Sequence, residues 1–220
     1  MTKKPNLPPY AIARQGKRAH YDEASVHAVL DQGLVGHLGF IADGRPMVIP
    51  LAYARLGSTL YLHGASKTRF VTLCRDASPL CLTVTLIDGI VAARSAFHHS
   101  VNYRSVVVHG VARSVDDADE HDRALQRITE HLLPGRIAEV RPISVKERKA
   151  TGIVALEIEA ASVKIRTGPP VDEPEDLTLG LWAGIVPVTT ALGRGVPDNY
   201  SPDGAPEPAS IAEARAKFIR

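Results

Sequence analysis

Residues Gly44–Arg69 have the sequence GRPMVIPLAYARLGSTLYLHGASKTR, and this stretch decides the fold of the 220-residue chain. Its first part, Met47–Tyr53, is a run of bulky apolar residues that predicts a β-strand. Leu56-Gly57-Ser58 predicts a turn, and Thr59–His63 predicts a return strand whose alternate side chains face opposite sides of a sheet. The stretch is therefore typical of a half-buried β-hairpin.

The hairpin is followed by a bend of small residues, Gly64-Ala65-Ser66, and then by two cations, Lys67 and Arg69. Small residues let a ligand approach the backbone closely, and fixed cations beside free N–H groups favour a dianion such as a phosphate. Ser66 is the predicted N-cap of a short helix over residues 67–75, whose dipole would favour the same anion. The alternative interpretation is a solvated turn that carries two surface cations.

Apolar patterning along the whole chain predicts about six strands and two or three helices, without regular β-α-β alternation. Such an arrangement favours a mainly β fold, a β-barrel with flanking helices, over a parallel sheet. Beyond the hairpin, the predicted elements are a helix from Asp22 to Gly33, strands over 34–42, 80–86 with 90–93, and 102–115, a helix over 116–131 and a long strand over 151–167.

Local signals refine these elements. Asp43-Gly44 predicts a hairpin turn, Gly110 predicts a corner in a barrel strand, and Ala160-Ala161 predicts a bulge in the last long strand. The helix over 116–131 has apolar residues at helical spacing, and its expected inward face is Leu125, Ile128 and Leu132.

The chain is 45% hydrophobic and 23% charged with a net charge of +2, which is typical of a soluble globular protein. Its basic residues are scattered, which argues against nucleic-acid binding. No run is apolar and long enough to cross a membrane, and the first residues do not resemble a secretory signal, so we expect a cytoplasmic protein. Cys74 and Cys81 are expected to be free thiols, and the adjacent pair His98-His99 is not expected to ligate one metal jointly.

The composition changes after Gly168, where Pro-rich and acidic stretches begin. We expect an N-terminal arm over residues 1–20, a barrel domain over 21–168 and a C-terminal extension over 169–220 that packs on the barrel or on a partner subunit. Trp182 lies in an apolar segment of this extension. This segment either packs on the barrel or covers a ligand or a partner subunit. Ser210 and Glu213 form an S-x-x-E pattern that predicts a capping box for a final helix.

The order of three segments resembles a known superfamily. MVIPL at 47–51, YLHGASKTR at 61–69 and YRSVVVHG at 103–110 are similar to the FMN-binding split-barrel proteins, which include pyridoxamine 5′-phosphate oxidase and the nitroimidazole-reductase-like branch. The resemblance covers residues 14–168 and is strongest to that branch. It implies an FMN-binding split barrel, FMN as cofactor with FAD as the alternative, and a homodimer with the flavin at the subunit interface.

The resemblance also implies a set of cofactor-binding residues. Backbone groups of the first segment would lie along the isoalloxazine ring, the bend would hold the phosphate, and the third segment would line the flavin. The expected cofactor-binding residues are Met47, Val48, Ile49, Pro50, Leu51, His63, Gly64, Ser66, Lys67, Arg69, Tyr103, Arg104 and Ser105, together with Trp182 of the extension, which lies outside the resemblance. For Arg104 the alternative is a salt bridge at the barrel rim.

His63 is the candidate catalytic residue, because the similar branch often has a histidine here near the flavin; the alternative is a structural histidine at a strand end. No G-x-S-x-G, H-E-x-x-H, P-loop or G-x-G-x-x-G pattern is present, which suits a protein whose cofactor carries the chemistry.

The resulting functional hypothesis is an FMN-dependent oxidoreductase that reduces a small nitroaromatic or quinone-like acceptor with electrons from NAD(P)H. Pyridoxamine 5′-phosphate oxidase proper is disfavoured, because its C-terminal motif contains a histidine and the end of this chain, EARAKFIR, does not. The alternatives are a non-catalytic flavin- or haem-binding protein and a deazaflavin-dependent reductase.

Overall fold

The computed structural model describes residues 6–74 and 77–219. The strands in these ranges belong to one antiparallel sheet. They are β1 Ala19–His20, β2 Gly36–Ala42, β3 Arg45–Leu51, β4 Tyr53–Leu56, β5 Thr59–Ala65, β6 Ser78–Ala92, β7 Ser100–Ser114, β8 Thr151–Glu157, β9 Ala160–Arg166 and β10 Gly184–Pro187.

Helices flank the sheet. The α-helices are α1 Glu23–Gln32, α2 Arg69–Leu73, α3 Ala118–Leu132, α4 Val145–Ala150 and α5 Ala209–Phe218. Single 3-10 turns occur at Pro9–Ala11, Gly16–Arg18, Ala96–His98, Arg136–Glu139 and Pro174–Thr178. None of the helices in the described ranges combines the length and hydrophobicity needed to cross a bilayer.

The sheet rolls up because its two ends are joined in the chain. Its main path runs β3-β2-β6-β7-β8-β5-β4, so β3 and β4 are the end strands, and Ala52 alone separates them in sequence. The enclosed core includes the fully buried aliphatic side chains of Leu38, Leu60, Leu62, Leu82 and Leu156. The predicted β-barrel with flanking helices is confirmed.

Gly110 lies where β7 changes partner. Residues before it pair with β9 and residues after it pair with β8. A Cβ at this position would lie 1.9 Å from the carbonyl oxygen of Glu157, so the close crossing of the strands requires glycine. The predicted corner is confirmed, as is the hairpin turn at Asp43-Gly44, where both residues have positive φ.

The predicted long strand over 151–167 is two strands. β8 pairs with β5 and β7, whereas β9 pairs with β1 and β7. The chain leaves the ladder at Ile158 and Glu159, whose N–H groups donate to the carbonyls of Ser58 and His109. The bulge predicted at Ala160-Ala161 is therefore wrong, because both residues already pair with β7.

Helix α1 begins as predicted, with the Asp22 carboxylate accepting from the Ser25 N–H. Helix α3 differs from the prediction on its buried face. Ile128 is buried, but Leu125 and Leu132 are only half-buried. The other buried positions of α3 are His121, Ala124 and His131. Two histidines thus belong to the buried face of α3, which the apolar pattern predicted to consist of Leu125, Ile128 and Leu132.

The described C-terminal residues contact the rest of the protein at several places, through β10, through α5 and through an ion pair between Arg94 and Asp172. β10 pairs with β6, and Ser210 at the start of α5 donates a hydrogen bond of 2.5 Å to Glu139. The N-cap of α5 is Pro208 and no side chain caps it, so the capping box predicted at Ser210 and Glu213 is wrong. The division into arm, barrel domain and extension stays a prediction. Cys74 is buried, Cys81 is half-buried, and both are free thiols.

Candidate functional site

The bend after β5 is held by backbone hydrogen bonds. The Ser66 N–H donates to the carbonyl of Ala150 at the end of α4 (2.9 Å), and the Thr68 N–H donates to that of Ala65 (2.8 Å). The hypothesis of a phosphate site requires free N–H groups at the bend. The N–H groups of Ser66 and Thr68 already donate to backbone carbonyls, so they are not free to bind a phosphate. Helix α2 begins only at Arg69 with Thr68 as N-cap, so the prediction of Ser66 as the cap is wrong.

Glycines let the bend pack closely on its neighbours. A Cβ on Gly64 would lie 2.9 Å from the ring of Phe70, and one on Gly152 would lie 2.4 Å from the Val71 side chain and 3.2 Å from the Cα of Ser66. Together with the backbone bonds, this close packing fixes the position of the residues that follow.

Both cations of the bend face solvent. Lys67 is exposed, and Arg69 is exposed with its guanidinium 3.6 Å from the carboxylate of Asp43, which is itself exposed. Exposed pairs of this kind are weak, so the arginine can exchange its partner for a ligand. The bend thus offers two accessible positive charges beside a rigid turn, although it offers fewer free amides than predicted.

The segment 47–51 belongs to β3, which is an end strand of the sheet path. Its side chains alternate as predicted for a strand: Met47, Ile49 and Leu51 pack against the barrel core, whereas Val48 and Pro50 point outward. Val48 is 66% exposed. An end strand carries unpaired backbone groups, which a ring-shaped ligand can contact.

Tyr103, Arg104 and Ser105 lie on β7, between β6 and β9. The Arg104 guanidinium donates to both carboxylate oxygens of Asp88 (3.1 and 2.8 Å) and to the amide oxygen of Gln32 (2.6 Å). The hydrogen bonds to Asp88 raise the pKa of Arg104 further. The salt bridge that we considered as the alternative for Arg104 is therefore present.

The bend residues and the β7 residues of the predicted site have different neighbours. The bend, with Gly64, Ser66, Lys67 and Arg69, packs on α2, β8 and the end of α4. The β7 residues instead have β6 and β9 as neighbours, and Ser105 lies opposite Thr85 and Lys164.

Three residues from the sequence analysis lie elsewhere. Trp182 is 70% exposed and lies just before β10. The His98 ring lies 3.5 Å from the Glu173 carboxylate, while Nδ1 of His99 lies 2.8 Å from the Ser95 carbonyl. Within the described ranges, no three His, Cys, Asp or Glu side chains converge to hold a metal ion.

A cavity of about 650 Å³ opens beside His63. It lies between α3, the turn Arg136–Glu139 and helix α4. The lining residues are His63, Asp122, Leu125, Gln126, Ile128, Thr129, Ile137, Val140, Arg141, Pro142, Ile143, Glu147 and Arg148. Its size falls within the range of small-molecule and cofactor sites.

Unsatisfied polar atoms concentrate at this cavity. Five buried side-chain nitrogen or oxygen atoms lack a hydrogen-bond partner among the described residues, and three of them belong to lining residues: Nδ1 of His63, Oδ1 of Asp122 and Nε of Arg148. A fourth is Nδ1 of His121, 4.0 Å from the Asp122 carboxylate. Burial lowers the pKa of His63, so its ring is neutral at neutral pH. Such atoms need a hydrogen-bond partner, which water or a bound group can supply.

The sequence analysis found His63 but missed the rest of this cavity. One local signal was present: Ser144-Val145-Lys146-Glu147 is an S-x-x-E pattern, and the structure has a complete capping box there at the start of α4. The pattern could have placed α4, but it could not have shown that α4 lies opposite α3.

Known proteins provide an independent comparison. The family model for pyridoxamine 5′-phosphate oxidase matches residues 22–165. The structure is similar to the flavocytochrome Anf3 from Azotobacter vinelandii, with 35% identity, a TM-score of 0.87, and coverage of 94% of this chain and 96% of that one. It is also similar to the FAD and haem binding protein from Mycobacterium smegmatis, with 31% identity, a TM-score of 0.86, and coverage of 90% and 97%.

A more distant structure shares the fold alone. It is described as a 5-nitroimidazole antibiotic resistance protein from Bacteroides thetaiotaomicron, with 18% identity, a TM-score of 0.56, and coverage of 67% of this chain and 86% of that one. No curated protein sequence matches the chain.

Proposed function

Because this chain belongs to the pyridoxamine 5′-phosphate oxidase family, we propose that it is a flavin-dependent oxidoreductase. The family fold is a flavin-binding split barrel. The observation that carries the proposal is the rigid bend after β5, which presents Lys67 and Arg69 to solvent beside a close-packed backbone. A phosphate dianion is the ligand that two such cations favour.

Each part of the proposed site has a separate task. Lys67 and Arg69 would bind the phosphate, with the Asp43 carboxylate released from Arg69. The free edge of β3 would orient the ring through backbone groups, and the core packing of Met47 and Ile49 would hold that edge in place. When bound, the flavin would supply hydride acceptance from NAD(P)H and electron delivery to a small nitroaromatic or quinone-like acceptor.

We propose FMN rather than FAD as the flavin. The bend combines small residues with two cations, which suits a terminal phosphate more than the internal diphosphate of a dinucleotide. FAD is the alternative, because one of the similar proteins is described as binding it. Deazaflavin is a further alternative. Denaturing the purified protein and weighing the released cofactor by mass spectrometry distinguishes the three, and a protein without any flavin would overturn the proposal.

We also propose a homodimer with the flavin at its interface. The bend and the β7 residues have different neighbours in one protomer, and a second copy could bring them to one ligand. Apolar residues that would suit an interface are exposed on the outer faces of several strands: Ile41, Val48, Ile90, Val101 and Val111. Sedimentation of the flavin-loaded protein measures the assembly, and a flavin-loaded monomer would refute the shared site.

Catalysis is tested by mixing the flavin-loaded protein with NADPH or NADH in the absence of oxygen. Bleaching of the flavin absorption is the expected result. A flavin that stays oxidised would favour the second candidate function, a binding protein that does not turn over nicotinamide.

That second candidate includes haem. One similar structure is a flavocytochrome and the other binds FAD and haem. The specific observation that favours it in this chain is the cavity beside His63, with its orphaned ring nitrogen.

A further inference from the structure

We infer that the cavity between α3 and residues 136–148 binds an iron porphyrin, with the imidazole of His63 as axial ligand of the iron. This inference deepens the haem candidate of the proposed function by naming the site, its ligand and its walls. It does not depend on which flavin the protein binds or on whether NAD(P)H reduces it.

The walls of the cavity suit a large apolar ring. Leu125 and Ile128 line it from α3, and Ile137, Val140 and Ile143 line it from the opposite segment. The last three are exposed, although they are large aliphatic residues. A bound porphyrin would cover this apolar surface.

The charges of the cavity exclude a simple anion site. Arg148 forms a close ion pair with Asp122, and Arg141 donates to both carboxylate oxygens of Glu147 (2.9 and 2.5 Å). Two arginines and two carboxylates leave the wall without net formal charge. The cavity therefore favours an apolar ring over a phosphate, which distinguishes it from the Lys67 bend.

A porphyrin carries carboxylates as well as an apolar ring. The Arg148 side chain still has its Nε–H without a partner among the described residues, and Arg141 is exposed at the mouth of the cavity. Arginine presents donors in a fork that matches a carboxylate, so either side chain could hold one without losing its present partner entirely.

His63 is the one imidazole among the described lining residues. Its Nδ1 is buried and has no hydrogen-bond partner among the residues that the structure describes. A neutral imidazole is the form that binds a metal. A proximal histidine is a common way to hold haem iron.

The porphyrin site would be next to the flavin bend. Helix α4 contributes Glu147 and Arg148 to the cavity, and the carbonyl of its last residue, Ala150, accepts from the Ser66 N–H of the bend. One short helix thus contacts both proposed cofactor sites.

The experiment is a titration of the purified full-length protein with haemin, followed by the Soret band. Wild type should saturate at about one haemin per chain. His63→Ala should weaken binding by at least ~10-fold, as expected when a metal site loses a defining group, and added imidazole should restore the ligated spectrum. His99→Ala is the matched control and should behave as wild type, since its ring contacts the Ser95 carbonyl outside the cavity.

A second titration uses iron-free protoporphyrin. Its binding requires the cavity but not the His63 imidazole, because it contains no iron. Its affinity should be equal for wild type and His63→Ala, and should fall for Leu125→Trp, which fills the cavity. Circular dichroism confirms that each variant is folded.

The inference is overturned if wild type gives no saturable Soret change, if His63→Ala matches wild type in affinity and spectrum, or if Leu125→Trp binds protoporphyrin normally. Flavin extracted from the same samples is weighed separately. Loss of haemin binding with flavin retained rejects this site alone, whereas haemin binding without any flavin rejects the flavin proposal alone.

Discussion

His131 should make the stability of the protein depend on pH. This histidine of α3 is 3% exposed, and its Nε2 lies 2.7 Å from the carbonyl oxygen of Gly33. Its Nδ1 lies 3.3 Å from the ammonium of Lys217. The network therefore favours a neutral ring that donates from Nε2 and accepts at Nδ1. Burial, reinforced by the charge of Lys217, lowers the pKa of His131 to about 4.

His131 takes up a proton at a different pH in the folded and unfolded states, and this difference makes stability fall on acidification. As pH falls below about 6.5, His131 of the unfolded chain takes up a proton, while the folded protein keeps the ring neutral down to about 4. Stability is therefore lost between these two values. The full difference is worth about 3 kcal/mol at ~1.36 kcal/mol for each pKa unit, and about 2 kcal/mol of it falls between about pH 7 and pH 5.

Urea unfolding at these two pH values measures the effect in wild type and in His131→Gln. Glutamine can still donate to Gly33 but does not titrate, so the variant should lose about 2 kcal/mol less than wild type on acidification. The pKa of His63 and of His109 is also lowered by burial, but both residues are present in each protein and cancel in the comparison. His20→Gln, at an exposed position, is the control and should follow wild type. Equal losses in wild type and His131→Gln would refute this account of His131.

Three further substitutions test the site and the fold. Lys67→Ala should weaken flavin retention by roughly 10- to 100-fold, the equivalent of one lost charge-assisted hydrogen bond, as measured by equilibrium dialysis; unchanged retention would place the phosphate elsewhere. Gly110→Ala should destabilise the protein by more than about 3 kcal/mol in thermal or urea unfolding, because its Cβ would meet the Glu157 carbonyl at 1.9 Å, whereas Gly193→Ala, with nothing within 4 Å, should unfold as wild type does. Ser144→Ala removes half of the capping box of α4 and should lower the free energy of unfolding by about 1 kcal/mol; no change would mean that α4 does not need its cap.

The barrel could be predicted because its strands carry local signals. β5 alternates between residues that face the core and residues that face α3, and this pattern is visible in the sequence alone. The corner at Gly110 could also be predicted, because the interior of a strand otherwise avoids glycine.

The errors have a different origin. Val154, Leu156 and Ile158 alternate smoothly, so periodicity continues across the point where the chain leaves the ladder. The interruption between β8 and β9 occurs because the two strands have different neighbours. A local sequence pattern cannot predict such a change. Ser66 and Thr68 are both plausible caps by residue type, and the later start of α2 depends on the bond from the Ser66 N–H to Ala150, 84 positions along the chain.

The cavity could not be predicted because its walls are distant in sequence. His63 faces residues that follow it by 59 to 85 positions, and Ile137, Val140 and Ile143 lie between the elements that the sequence predicts. Only the three-dimensional arrangement shows that exposed aliphatic residues and orphaned polar atoms share one cavity.

The C-terminal helix connects this cavity to the remainder of the protein. Ser210 of α5 donates to Glu139, which belongs to the turn that carries Ile137 into the cavity wall. At the other end of α5, Lys217 donates to the carbonyl of His131, the residue that ends the buried face of α3. Both walls of the cavity are thus braced by a helix that lies outside the matched residues 22–165. The flavin bend needs none of these contacts, because β8, α2 and α4 hold it. Helix α5 therefore supports the second proposed site rather than the first.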